Sequence, residues 1–106
     1  MRELPNLLYI EQLAQDNQVV RERLIRILKE EFPQEVEKYK QESEQSDYFL
    51  MSESVHKLKH KFGLLGLEKA YHLAADFEEQ LRAQKTNLKT EFEVVLQDIE
   101  LFLNTI

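Results

Sequence analysis

The apolar residues of this chain recur at steps of three and four, and this spacing constrains the fold more than any other feature. The pattern covers residues 20–39, 48–65, 67–81 and 88–103, and each stretch places its apolar side chains on one side of a helix. The 106 residues include only two glycines and two prolines, too few for a sheet protein with many tight turns. The sequence therefore predicts an all-α protein.

Capping and breaking residues divide the pattern into separate helices. Candidate N-cap residues are Asn6 for a short first helix over residues 7–14, Asp16 or Asn17 for the second helix, and Ser46 or Asp47 for the third. Pro33 predicts a kink or a break in the second helix, because proline removes a backbone donor. The polar residues 41–46 are interpreted as a linker, and Gly66 as the end of the third helix.

The loops between the later helices are short, which favours antiparallel neighbours. The expected architecture is an antiparallel up-down four-helix bundle with a short extra N-terminal helix. A chain of 106 residues can bury one modest core, so we expect a single domain over residues 1–106.

Composition excludes several classes of function. The net charge of -6 argues against general nucleic-acid binding, which needs a basic face. The chain has no cysteine, so disulfides, thiolate metal sites and a cysteine nucleophile are absent. No apolar run approaches the roughly 20 residues that span a bilayer, and the N-terminus lacks the apolar core of a signal peptide. We expect a cytoplasmic protein without membrane contact.

Residues 55–61 form a basic island in this acidic chain. The island contains three lysines and two histidines but no acidic side chain. Such a local positive patch suits an acidic pocket or a phosphoryl group better than a long polyanion.

Helical geometry separates the members of the island. Val55, Leu58 and Phe62 continue the apolar stripe and are predicted to face the core. A neighbouring strip then contains Ser52, His56, Lys59 and Gly63, with Glu53 and His60 beside it. His56 is thus expected to be exposed on a rigid helix, with a lysine one turn away.

The spacing from His56 onward resembles the histidine-containing phosphotransfer (HPt) domain, the relay module of multistep two-component signalling. The family pattern has leucine two residues after the histidine, lysine three, a small residue four and glycine ten residues after it. The matching positions are Leu58, Lys59 and Gly66, whereas His60 replaces the small residue.

The resemblance implies that His56 accepts a phosphoryl group from a receiver-domain aspartate and passes it to another receiver. Lys59 would stabilise the phosphoryl oxygens. The nucleophile must be the neutral imidazole, and nearby Lys57, Lys59 and His60 disfavour its protonation. Leu58 and Gly66 would be structural, and the partner-binding residues would be Ser52, Lys57, His60 and Gly63.

The resemblance also implies a monomeric phosphocarrier without kinase activity of its own. Its partners would be response-regulator receiver domains and a hybrid sensor kinase. No cofactor or metal is expected on this chain, and the Mg²⁺ that phosphoryl transfer uses would come with the receiver.

Two alternatives remain open at this stage. The bundle could be a non-catalytic adaptor that uses the basic patch only to dock an acidic partner. It could also be a metal-binding bundle in which His56 and His60 act with Glu53 as a third ligand. The acidic pairs at residues 30–31 and 78–79 are interpreted as solvated faces rather than as catalytic carboxylates.

Overall fold

The computed structural model describes residues 3–106; Met1 and Arg2, which belong to the predicted domain, lie outside the described residues. The regular elements within this range are five helices. They are α1 (Leu8–Ala14), α2 (Gln18–Glu44), α3 (Tyr48–Leu64), α4 (Glu68–Arg82) and α5 (Lys89–Leu103).

The helices pack in chain order, each against the next, and α5 also contacts α2. The connections between the long helices are short, so consecutive helices run antiparallel. The short α1 packs on α2. The all-helical bundle with an extra N-terminal helix, predicted from the apolar spacing, is confirmed.

The core is a single cluster of apolar side chains from all five helices. At its centre, the fully buried ring of Phe92 on α5 contacts one ring from each of the other long helices, namely Tyr39, Phe62 and Phe77. The apolar pattern over residues 20–39 includes Val20 and Ile27, but these two side chains are not part of the buried core, since they are 36% and 38% exposed.

Side-chain caps begin two of the helices as predicted. The Asn17 side chain accepts hydrogen bonds from the backbone amides at the start of α2, and Asp47 accepts one at the start of α3. Asn6 precedes the cap position of α1, where its side-chain oxygen accepts a hydrogen bond from the Leu8 amide.

Helix α2 runs through Pro33, where a kink or a break was predicted, and into residues 41–46, which were predicted to be a linker. The helix does not break at Pro33, since the buried neighbours Phe32 and Val36 hold both flanking turns against the core. The predicted linker is also too long, because α2 continues to Glu44. Glu42 is buried there and accepts a hydrogen bond from the Ser54 hydroxyl on α3, which ties this last turn to the bundle.

Gly66 terminates α3 in a Schellman motif. Its φ of 74° is left-handed, and the amides of Gly66 and Leu67 bond to the carbonyls of Gly63 and Phe62. A side chain at residue 66 would also meet Asn6, because an added Cβ would lie 2.6 Å from Asn6 Nδ2. Gly66 therefore sets both the helix end and the close approach of the N-terminal segment.

Gly66→Ala should lower the free energy of unfolding by about 1–2 kcal/mol, because alanine is unfavourable in the left-handed region. The matched control is Gly63→Ala, where an added Cβ makes ordinary contact at 3.6 Å with Tyr71. This control should be neutral or stabilising by up to about 1 kcal/mol, since alanine favours helix. Urea unfolding followed by circular dichroism measures both, and equal effects would contradict the assignment of Gly66.

Across residues 3–106, no helix combines the length and the apolar character needed to cross a membrane.

Candidate functional site

The imidazole of His56 is held by a carboxylate from the neighbouring helix. His56 belongs to α3, and its Nδ1 lies 3.1 Å from Oε1 and 3.2 Å from Oε2 of Glu78, which belongs to α4. An ionised carboxylate can only accept a hydrogen bond, so Nδ1 carries a hydrogen, and in the neutral form of the ring the lone pair is then on Nε2. The His56 side chain is 51% exposed, and Nε2 points away from Glu78. A reactive nitrogen is thereby oriented and accessible.

Glu78 is buried and gathers three basic side chains. Besides His56, it accepts a hydrogen bond from Lys59 Nζ at 3.2 Å on Oε1 and from an Arg82 guanidinium nitrogen at 2.8 Å on Oε2. Burial alone would raise the pKa of this carboxyl, but the hydrogen bonds from His56 and Lys59 and their charges lower the pKa below its ordinary value. Glu78 is therefore ionised at neutral pH, and the prediction that it lies on a solvated face is wrong.

The tertiary structure divides the basic island among different partners. Lys59 turns toward α4, where its ammonium also lies 5.5 Å from the centre of the Tyr71 ring. Lys61 turns the other way, to Glu31 and Glu35 on α2. Both lysine side chains are only 13% exposed. Lys57, by contrast, remains exposed, so the patch is less basic than its composition indicates.

The exposed residues of α3 that surround His56 are not the ones predicted. Helix α4 covers the side on which Lys59 and Gly63 lie, and Ser52 is 1% exposed with its hydroxyl bonded to the Phe49 carbonyl. Ser52 cannot contact a partner in this position, which corrects its predicted role. The exposed strip that shares a face with His56 consists of Phe49, Glu53, His56 and His60, with Lys57 beside it. We call this set the His56 strip.

Leu58 and Gly66 were the two motif residues expected to have structural roles. Leu58 is fully buried in the core, and Gly66 forms the end of α3.

His60 lies against His56 on the exposed side of α3. The two ring centres are 5.0 Å apart, and the rings meet edge to face. Glu53 does not join them as a third ligand, because residues 3–106 contain no group of three or more histidine, cysteine, aspartate or glutamate side chains that could hold a metal ion. The three-ligand site that the spacing of these residues suggested is therefore wrong.

Reasoning from the sequence missed Glu78 and Arg82. A signal was present, because Glu78 follows Tyr71 by seven residues and Ala74 by four, which places a charge on the buried face of α4. Arg82 follows Glu78 by one further turn. Burying a carboxylate without a partner is energetically costly, so the position of Glu78 predicts basic partners on a facing helix.

Comparison with known protein families matches residues 23–105 to the Hpt domain model. The match covers α3, α4 and α5 and most of α2, and it leaves out α1. Searches of curated proteins and of solved structures found no significant match.

Proposed function

Because this chain belongs to the Hpt domain family, which serves phosphotransfer in two-component signalling, we propose that it is a phosphocarrier with Nε2 of His56 as the phospho-accepting atom. In this role, the chain takes a phosphoryl group from a receiver-domain aspartate and passes it to a second receiver. The hydrogen bond between His56 and Glu78 is the observation that supports the proposal most directly.

The hydrogen bond prepares the imidazole for nucleophilic attack. Nε2 donates its lone pair to phosphorus while the bond from phosphorus to the aspartyl oxygen breaks, and that oxygen leaves as a carboxylate. The ring acquires a positive charge, and Nδ1 keeps its proton. Glu78 already lies beside Nδ1, so it compensates the developing charge without rearrangement.

Basic side chains around Glu78 supply charge for the phosphoryl oxygens. Lys59 was predicted for this role, but its ammonium is mostly covered and bonded to Glu78. Arg82 shares the same carboxylate and is 59% exposed. We propose that Arg82 and Lys57 add to Lys59 at the phosphoryl group, since both are accessible beside the acceptor histidine.

The partner surface is proposed to be the His56 strip. Phe49 is 66% exposed and supplies an apolar contact, while Lys57 and Arg82 form a basic margin. A receiver phosphorylated on aspartate presents an acidic pocket with its own Mg²⁺, which complements this margin. His60 occupies the place where the family keeps a small residue, so it limits which receivers can approach.

The test is phosphoryl transfer from a receiver phosphorylated on aspartate to the purified chain. We expect the chain to gain phosphate that is labile in acid and stable in alkali, and peptide mapping should place it on His56. A panel of receivers is needed because His60 restricts docking. If no receiver transfers phosphate but one still binds, the chain is instead an adaptor that docks without relaying.

Glu78→Gln should slow phosphoryl transfer roughly a hundredfold, because the amide can hold Nδ1 but carries no charge to compensate the ring. The matched control is Glu79→Gln, which removes the same charge from the next, exposed position of α4 and should transfer at nearly the wild-type rate. Single-turnover transfer rates measure both variants. A Glu78→Gln rate within twofold of wild type would exclude this role for the carboxylate.

A further inference from the structure

The proposed phosphoryl transfer uses His56 and Glu78, but it assigns no chemistry to the second imidazole beside them, that of His60. His60 lies four residues after His56 on the exposed face of α3, and the ring centres are 5.0 Å apart. Glu78 bonds to Nδ1 of His56 from the buried side. Nε2 of His56 is therefore on the side of the ring away from Glu78, and the His60 ring lies within 5.0 Å of the His56 ring.

We propose that His56 and His60 form a two-histidine site for a transition-metal dication such as Zn²⁺, with water completing the coordination. A zinc ion binds imidazole nitrogen at about 2.0–2.1 Å, which places the ion roughly 3.2 Å from each ring centre. A tetrahedral angle at the ion then separates the two ring centres by about 5 Å. The observed separation of 5.0 Å meets this requirement.

Glu78 strengthens the case for a metal. A histidine that binds a metal through one nitrogen commonly donates its other N–H to a carboxylate, which orients the ring and makes the ligand more basic. The contact of Nδ1 with Glu78 has this form. His60 is exposed, so its ring can rotate to direct a nitrogen at the same ion.

The charge around the pair allows a dication to approach. Lys59 and Lys61 are held by carboxylates of α4 and α2, so their ammonium groups do not project over the two rings. Arg82 is bonded to Glu78 but remains 59% exposed. Two of the three lysines of the basic island are thus paired in the fold, whereas Lys57 remains exposed.

Metal binding would occupy the nitrogen that accepts the phosphoryl group. This consequence rests on the proposed function, whereas the metal site itself does not. Zinc should therefore act as a competitive inhibitor of phosphoryl acceptance. It would not be a cofactor of the transfer.

Calorimetric titration with Zn²⁺ tests the site without any phosphorylation. Wild type should bind one ion per chain, and both His60→Ala and His56→Gln should weaken binding at least about tenfold. His72→Ala is the control, because this third histidine lies on α4 against Tyr71 and should bind as wild type does. Binding by His60→Ala within twofold of wild type would overturn the proposal. A stoichiometry of one ion per two chains, with a matching mass in sedimentation, would also overturn it.

The competition is then measured as the ratio of transfer rates with and without Zn²⁺. Wild type should be slowed at zinc concentrations that His60→Ala tolerates, and an equal ratio in both would overturn the inhibitory role. A wild-type chain that binds Zn²⁺ through the pair but never accepts phosphate would refute the proposed function and leave the metal site intact.

Discussion

His56→Gln should abolish phosphoryl acceptance, with a rate at least about a thousandfold below wild type, because no other nitrogen can take the place of Nε2. Glutamine is polar and similar in reach, so it can still contact Glu78. Its amide nitrogen, however, has no lone pair available to attack phosphorus. The measurement is transfer from an aspartyl-phosphorylated receiver, followed as alkali-stable phosphate on the chain.

The other two histidines provide matched controls for this loss. His60→Gln tests the neighbouring ring, and His72→Gln tests a histidine on α4, away from the site. Both should retain acceptance on His56, and His60→Gln should shift the preference among receivers. If His60→Gln loses acceptance while His56→Gln keeps it, the acceptor has been assigned to the wrong histidine.

The His56→Gln variant should also fold normally. The His56 side chain is half exposed, and substitutions at such positions usually change stability by less than about 0.5 kcal/mol. An unchanged urea midpoint would show that the lost transfer reflects missing chemistry.

Phe92→Ala should lower the free energy of unfolding by about 3–5 kcal/mol, the cost expected for emptying a large buried site. Its ring is fully buried and contacts aromatic rings of α2, α3 and α4 within 5.1–5.6 Å between centres. Phe92 therefore packs α5 against all three of the other long helices. Against a typical total of about 5–15 kcal/mol, this loss leaves a marginal domain.

Phe49→Ala is the matched control for the core substitution. The same side chain is removed, but Phe49 is 66% exposed on α3, so stability should change by less than about 0.5 kcal/mol. Urea unfolding followed at 222 nm measures both variants. Similar urea midpoints for the two variants would contradict the role of Phe92 in the core. A changed dependence of the unfolding free energy on urea concentration would indicate that α5 unfolds separately.

Most of the fold follows from spacing along the chain. Apolar steps of three and four and the cap residues Asn17 and Asp47 specify helices whose bounds agree closely with the structure. The errors lie where tertiary contacts outweigh local signals. Residues 41–44 are polar but remain helical, since buried Glu42 is bonded to Ser54 on the facing helix. Val20 and Ile27 are apolar, but they lie at the margin of the apolar stripe and are 36% and 38% exposed.

The sequence by itself determined the helical bundle, the family and His56 as the histidine of the family motif. These depend on the apolar periodicity and on the spacing from His56 to Gly66. Only the tertiary structure decided what surrounds that histidine. Residues on one helix are related by a fixed geometry, whereas Glu78 and Arg82 reach the site from α4 through packing that no local pattern encodes. The same packing pairs Lys59 with Glu78, whereas the sequence alone suggested that the Lys59 ammonium was free.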